Sequence, residues 1–515
     1  MTETGAAMTG TGTGSTTETG AGAGSTTETG ATMTRTEVAQ AVATARVAAT
    51  AWSRLSPADR AGHMLRVRRK LIDRMDDVVA TIVSETGKVA TEAVVNEVLV
   101  TCELIGWYAR HAPRLLRSER VGTGLLAHKS AEKRYEPLGV VGVISPWNYP
   151  LVLAMGPVAT ALFAGNAVVL KPSEITPRVG LLVGELFSSM DEHPGIVQVV
   201  TGGSETGDAL VRSGADKIAF TGSVRTGKAV MRAAADTLTP VLLELGGKDP
   251  LIVCGDADID RAARAAVWGA FTNCGQTCMA TERVYVVEKV YQAFVDRVVE
   301  LTARVRQGAG SGYDIGAVTH RGQLSIIDRH LADAVERGAV VASGGKPVDV
   351  GGRPSLEPTV LLEVDHSMAV MRDETFGPIL PIMKVRDEQE ALELANDSPY
   401  GLNASVFGRD RATVERLVSG LRSGNVCVND VMVSYAIPAL PFGGAKESGM
   451  GRSHGAEGLR EFTQIKSIAR DRFGLHHEPQ WLPLPPKLGS VIKIAMRLRY
   501  ADRPWHRLHS QGDHK

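Results

Sequence analysis

From Thr36 to about Arg117, apolar side chains recur at intervals of three and four. The stretches "TEVAQAVATARVAATAWSRL" and "RAGHMLRVRRKLIDRMDDVVATIVSETG" carry this pattern, which predicts amphipathic helices, the second stopped by Gly87. In "GTGLLAHKSAEKRYEPLG" the period is lost, and the stretch reads as an extended arm. The rhythm then changes. "GVVGVISPWNYP", "NAVVLKPSE", "GIVQVVTG" and "DKIAFTGS" are short apolar strands. They alternate with helical "MGPVATALFAG", "PRVGLLVGELFSSM", "GDALVRSG" and "RTGKAVMRAAAD". Fully apolar strands between helices predict a parallel sheet covered on both faces. Past Leu243 the alternation resumes. "PLIVCG" and "ERVYVV" are strands, and "DIDRAARAAVWGAFTN", "VYQAFVDRVVELTARV", "LSIIDRHLADAVERG" and "DEQEALELAND" are helices. The expected fold class is α/β, with two parallel-sheet domains meeting between Leu243 and Gly247. Ligands are expected at the carboxyl ends of the strands or in the cleft between the domains.

Composition narrows the function. A chain of 515 residues, 43% hydrophobic and 22% charged, has room for two or three domains and reads as a soluble protein. A formal net charge of +0 gives no general electrostatic case for nucleic acid. Five cysteines, an odd number mostly far apart, argue against a disulfide framework and fit a cytoplasmic location. Residues 1–34 differ: "GSTTETGA" occurs at Gly14 and again at Gly24. With almost no large apolar side chain, this segment is expected to be a disordered low-complexity tail rather than a secretory signal. No run of 18 apolar residues predicts a spanning helix.

Candidate chemistry centres on "FTNCGQTCMATERVYV". Cys274 and Cys278 lack the second ligand pair of a structural zinc site, and redox pairs usually have two intervening residues. Inert packing is the default for an internal cysteine. Cys278 follows "GQT" and precedes a strand, with Gly275 supplying backbone freedom. Cys274 is expected about one helical turn away, facing the core. In "LELGGKDP", Glu244 sits among apolar residues; burial would raise its pKa toward that of a general base. An ordinary paired or capping glutamate is an equal reading. In "ISPWNYP", Asn148 could donate to an oxyanion or be a plain turn residue. "FTGSVRTG" puts Gly222 and Ser223 where a strand gives way to a helix, a setting for a pyrophosphate, although the spacing to Gly227 is not the common dinucleotide fingerprint. Lys171 and Glu174 of "KPSE" could bond ribose hydroxyls, or line a solvated turn.

"PWNYP", "KPSE", "FTGS", "LELGGKDP", "GQTC", "ETFGP" and "PFGGAKESGMGR" occur in the order and spacing of the NAD(P)-dependent aldehyde dehydrogenase superfamily, over about Thr36 to Arg470. This resemblance implies Cys278 as catalytic thiol, Glu244 as general base, and Asn148 with the Cys278 amide as oxyanion hole. Trp147, Lys171, Glu174, Gly222, Ser223 and Gly227 match adenosine and pyrophosphate positions. Glu374 and Phe376 match nicotinamide-ribose contacts, and Leu245 joins the cofactor set; no metal is implied. The domains it implies are a Rossmann-like NAD-binding domain (35–117 and 138–246), a catalytic domain (247–446) and an oligomerisation arm (118–137 and 447–470). The arm implies a homodimer or homotetramer.

Glu244 implies the hydrolytic branch of the family. A carboxylate at Glu174 repels a 2′-phosphate, which favours NAD over NADP. Related succinate-semialdehyde dehydrogenases grip the substrate carboxylate with arginines at the positions of Thr272 and Gly156, and both are missing here. An apolar funnel through Met432, Tyr435, Ile437 and Leu440 is therefore expected, suited to aliphatic or aromatic aldehydes. A thiol esterase or acyltransferase using Cys278 and Glu244 is the rival class; it leaves "KPSE", "FTGS" and "ETFGP" without purpose. In the tail (471–515), "KLGSVIKIAMRLRY" is basic and amphipathic. Packing on a neighbouring subunit is the expectation there, with an anionic membrane surface the alternative.

Overall fold

The computed structural model describes residues 31–188, 190, 192–474, 476–478 and 481–500. Most of the low-complexity segment, 1–30, lies outside the described residues. Residues 31–34 depart from the expected disorder. The Met33 amide donates to the Thr201 carbonyl, Thr201 donates to Ala31, and Thr34 caps the helix Arg35–Trp52 through a reciprocal bond with Glu37.

Two compact units emerge, the larger comprising described residues within 31–115 and 137–462. It holds two sheets. The first has Val197–Val199, Ala167–Lys171, Val140–Ile144, Lys217–Thr221 and Val241–Glu244 side by side and parallel. Chain order reverses between Val140–Ile144 and Lys217–Thr221. In doubly wound sheets such a reversal opens a crevice at the strands' carboxyl ends. Gly449–Met450 closes one edge antiparallel, with Gly449 opposite Glu244. The second sheet runs Val340–Ser343, Thr359–Leu362, Ile379–Val385, Thr281–Val287, Asp249–Val253, Asn403–Phe407 and Asn425–Val428, parallel except at its first pair. Its central strands, Asp249–Val253 and Thr281–Val287, are buried throughout, which explains the apolar runs that follow their polar starts.

Three local departures matter. The long second helix is two, Pro57–Asp73 and Met75–Thr86, broken at Arg74; Gly87 does cap it, with φ 77°. The next helix starts with a short α-turn, Ala90–Glu92, and continues through a π-helical segment, Ala93–Leu99. The segment 447–470 divides, because Gly449–Met450 and the helix Gly455–Glu461 fold with the larger unit.

The smaller unit, within 116–136 and 463–500, contains a three-stranded sheet ordered Glu119–Val121, Lys129–Pro137, Thr463–Asp471. Within it Glu478 is buried against His128 and Lys129. The helix Leu488–Tyr500 buries none of its residues. No described helix is long and apolar enough to cross a membrane.

Candidate active site

Three loops converge around Cys278. The turn after Val140–Ile144 supplies Trp147 and Asn148, and Val241–Glu244 ends on Glu244. Between the helix Ile259–Phe271 and the strand Thr281–Val287 lies the cysteine loop. Asn273, Cys274 and Gly275 have φ of 52°, 55° and 73°. They form a left-handed turn rather than a helical one, so the two sulfurs are not one helical turn apart as expected. Cys274 is fully buried in one apolar cluster of the second sheet, and Cys278 packs against another. A Cβ on Gly275 would lie 2.1 Å from the Gly377 carbonyl oxygen, so glycine is required on both counts.

Buried polar bonds fix the loops to each other. Asn148 Nδ2 donates to the Gln276 carbonyl at 3.1 Å, which leaves its second N–H for a ligand. Asn273 donates to the carbonyls of Asn148 and Gln276. Lys88 Nζ bonds Glu97 at 2.6 Å and the Asn148 carbonyl at 2.8 Å, and Glu97 accepts from the Leu151 amide. Glu92 accepts from the Asn273 amide. Lys88, Glu92, Glu97 and Asn273 are functional neighbours that no motif marks. Glu92 and Glu97 are charges inside an otherwise apolar helical period, which by pattern alone cannot be told from a solvated face.

The electrostatics are those of a buried site. Burial raises the Glu244 carboxyl to about 8 despite the opposing Cys278 thiol, and neither carboxyl oxygen has a hydrogen-bond partner among the described residues. Burial, then Glu244, Asp249 and Glu374, push the Cys278 thiol well above its ordinary range.

Cys278 borders two cavities. One, of about 220 Å³, is also lined by Trp147, Asn148, Gly222, Ser223, Glu244, Leu245, Glu374 and Phe376. Ser223 caps the helix Val224–Ala235, whose free amides suit a phosphate. Glu374 accepts from the Gly247 amide and sits so close to Gly246 that a Cβ there would lie 2.2 Å from its carboxylate. Burial, with Glu282 nearby, raises the Glu374 carboxyl to about 8. Trp147 meets the rings of Phe376 and His320 edge-on; His320 and the lining residue Gln323 were not anticipated. Three anticipated residues stand outside this lining. Lys171 and Glu174 pair at 3.1 Å at the end of the adjacent strand. Gly227 lies inside its helix, where a Cβ would strike Leu245 at 2.5 Å, so it serves close packing there.

The second cavity, about 310 Å³, is walled by Val95, Leu99, Val152, Trp268, Met432 and Tyr435, with Asp430 as its charged side chain. Met432 and Tyr435 fall where the sequence put them. Ile437 and Leu440 do not line it; both are partly exposed. Metal-type donors gather at His63, Glu192 and His193, where Arg66 already bonds His63 at 2.6 Å.

The Cys278 sulfur thus lies between a polar cleft and an apolar pocket, and residues 15–468 match the aldehyde dehydrogenase family. The chain belongs to that family. It is 44% identical over 448 residues to a Methylomonas sp. protein named 4,4′-diapolycopene aldehyde oxidase, covering 87% of this chain and 84% of that one. It is 38% identical over 462 residues to a Mycolicibacterium smegmatis protein provisionally named a succinate-semialdehyde dehydrogenase [NADP(+)], covering 88% and 87%. The structure of an NAD-dependent aldehyde dehydrogenase from Sinorhizobium meliloti superposes with a TM-score of 0.83 at 32% identity, covering 88% and 89%.

Proposed function

We propose that the protein oxidises apolar aldehydes to carboxylic acids with NAD(P)⁺, through a thioester on Cys278. The observation that carries this reading is the position of Cys278 on both cavities, one lined by Glu244 and Asn148 and the other apolar. The residues of the first cavity fit the cofactor. The capped helix start at Ser223 suits the pyrophosphate, and Glu374 with Phe376 flanks the space beside the sulfur. When bound, NAD(P)⁺ supplies the hydride acceptor.

Cys278 attacks the aldehyde carbon, losing its proton as the S–C bond forms. That proton passes to solvent. Asn148 gives its second N–H to the developing oxyanion, joined by the Cys278 amide. In the thioester that follows, Glu244 draws a proton from water, and attack releases the acid and the thiol. This hydrolysis requires ionised Glu244, so steady-state turnover should rise with pH through about 8. Glu244→Gln should give a burst of reduced nicotinamide near one equivalent, with steady-state turnover at least about 100-fold down. Unchanged turnover would overturn the reading.

An apolar substrate is supported by the pocket walls and by Asp430, which repels a second carboxylate. The Methylomonas relative, whose name gives diapolycopene aldehyde as its substrate, agrees with this reading in being named for an aldehyde other than succinic semialdehyde. The name of the mycobacterial relative favours succinic semialdehyde instead, yet Thr272 and Gly156 offer that substrate no cation. Hexanal and benzaldehyde should exceed succinic semialdehyde in kcat/KM, and the reverse order would reassign the substrate. NAD is favoured over NADP because Glu174, 59% exposed beside Lys171, would face a 2′-phosphate. Comparing kcat/KM for the two cofactors tests this.

A further inference from the structure

Glu244 also lines a third cavity, of about 40 Å³, together with Gly156, Thr160, Tyr435, Ser453 and His454. The reaction described above makes no use of it. Its volume holds one or two waters. Its polar atoms call for them: both Glu244 oxygens and His454 Nδ1 are buried with no hydrogen-bond partner among the described residues. Buried polar atoms normally have a partner, either protein or ordered water.

His454 is unusual in a second respect. Its backbone lies at φ 60° and ψ 173°, a region that only glycine enters freely. The chain nevertheless holds an imidazole there, 2% exposed, with its ring 4.6 Å from Tyr435 and 6.3 Å from Phe442. Strained backbone of this kind persists where surrounding structure enforces it, and clusters at functional sites.

We propose that His454 is a positioning residue for thioester hydrolysis, donating from Nδ1 through cavity water to the Glu244 carboxylate. This rests on Glu244 being the base. The ring is suited to the task because burial lowers its pKa to about 4. It stays neutral across the working pH and keeps one N–H to give. Hydrogen bonds to an ionised carboxylate favour the ionised form. His454 therefore offsets part of the burial that raises Glu244. The titratable groups facing Glu244 are Cys278, Glu374 and Tyr435; His454 faces the Tyr435 and Phe442 rings, and no charged side chain shifts it.

The test uses the full chain with NAD and hexanal, comparing wild type, His454→Phe and His454→Gln. His454→Phe keeps an aromatic ring against Tyr435 and removes the donor; His454→Gln retains an N–H. The expected result for His454→Phe is a full nicotinamide burst and a steady-state pH midpoint displaced upward by about one unit. That is a tenfold loss of ionised Glu244 below the midpoint. His454→Gln should recover part of the displacement. A merely structural role would reduce the burst and leave the midpoint in place, and that result overturns the proposal. So does a His454→Phe enzyme with wild-type rates at every pH. If Glu244→Gln itself turns over normally, it is the assignment of the base that falls.

Discussion

At the scale of single residues, the turn Asn273–Gly275 decides where each sulfur sits. Three consecutive left-handed residues swing the chain so that Cys274 faces one apolar cluster and Cys278 faces the cleft. The sequence suggested which cysteine was which, from Gly275 and the following strand. It misjudged the connection, because non-glycine residues at positive φ leave no mark in hydrophobic period. Cys274→Ala should retain most activity and cost about 1 kcal/mol of stability by thermal melting. Cys278→Ala should abolish turnover while leaving the melting temperature close to wild type. The opposite pair of results would move the chemistry to the other sulfur.

At the scale of elements, both sheets were legible because buried parallel strands are short apolar runs bounded by turns. Glu244, Asn148, Gly222 and Ser223 follow from that legibility, as each ends a strand or lies in the turn or helix cap that follows one. The network under the site was not legible. Glu92 and Glu97 lie in helical sequence and Lys88 in the short link before it, where a charge inside and a charge outside look alike until partners are known. Glu97 reaches the Leu151 amide from the π-helical segment Ala93–Leu99, a local geometry without a sequence period of its own. Lys88→Met leaves Glu97 buried and uncompensated, so it should cost about 3–5 kcal/mol. It should also lower kcat more than it raises KM, since the Asn148 carbonyl loses its support. A Lys88→Met enzyme with wild-type melting and kcat would show the pair to be incidental.

At the scale of the whole molecule, the helix Leu488–Tyr500 has an exposed surface still to be matched to a partner. Val491, Ile494 and Leu498 are exposed beside Lys493, Arg497 and Arg499. Packing on a second copy of the chain is the reading we favour. Removal of residues 488–515 should then lower the mass in solution and leave hexanal turnover per subunit nearly intact, as read by light scattering. Loss of liposome co-sedimentation with unchanged mass would assign the helix to an anionic lipid surface instead. The molecule's tolerance of length changes also follows from its architecture. A π-helical turn holds one residue more than an α-helical turn could, so Ala93–Leu99 accommodates a surplus residue within its own winding. Losing one codon there would let the segment rewind as α-helix while the turns on either side keep nearly their present facing. The same loss from a regular helix would turn one side by about 100° relative to the other. A single-residue deletion in this stretch is thus a milder genetic event than the same deletion in the helix Pro57–Asp73.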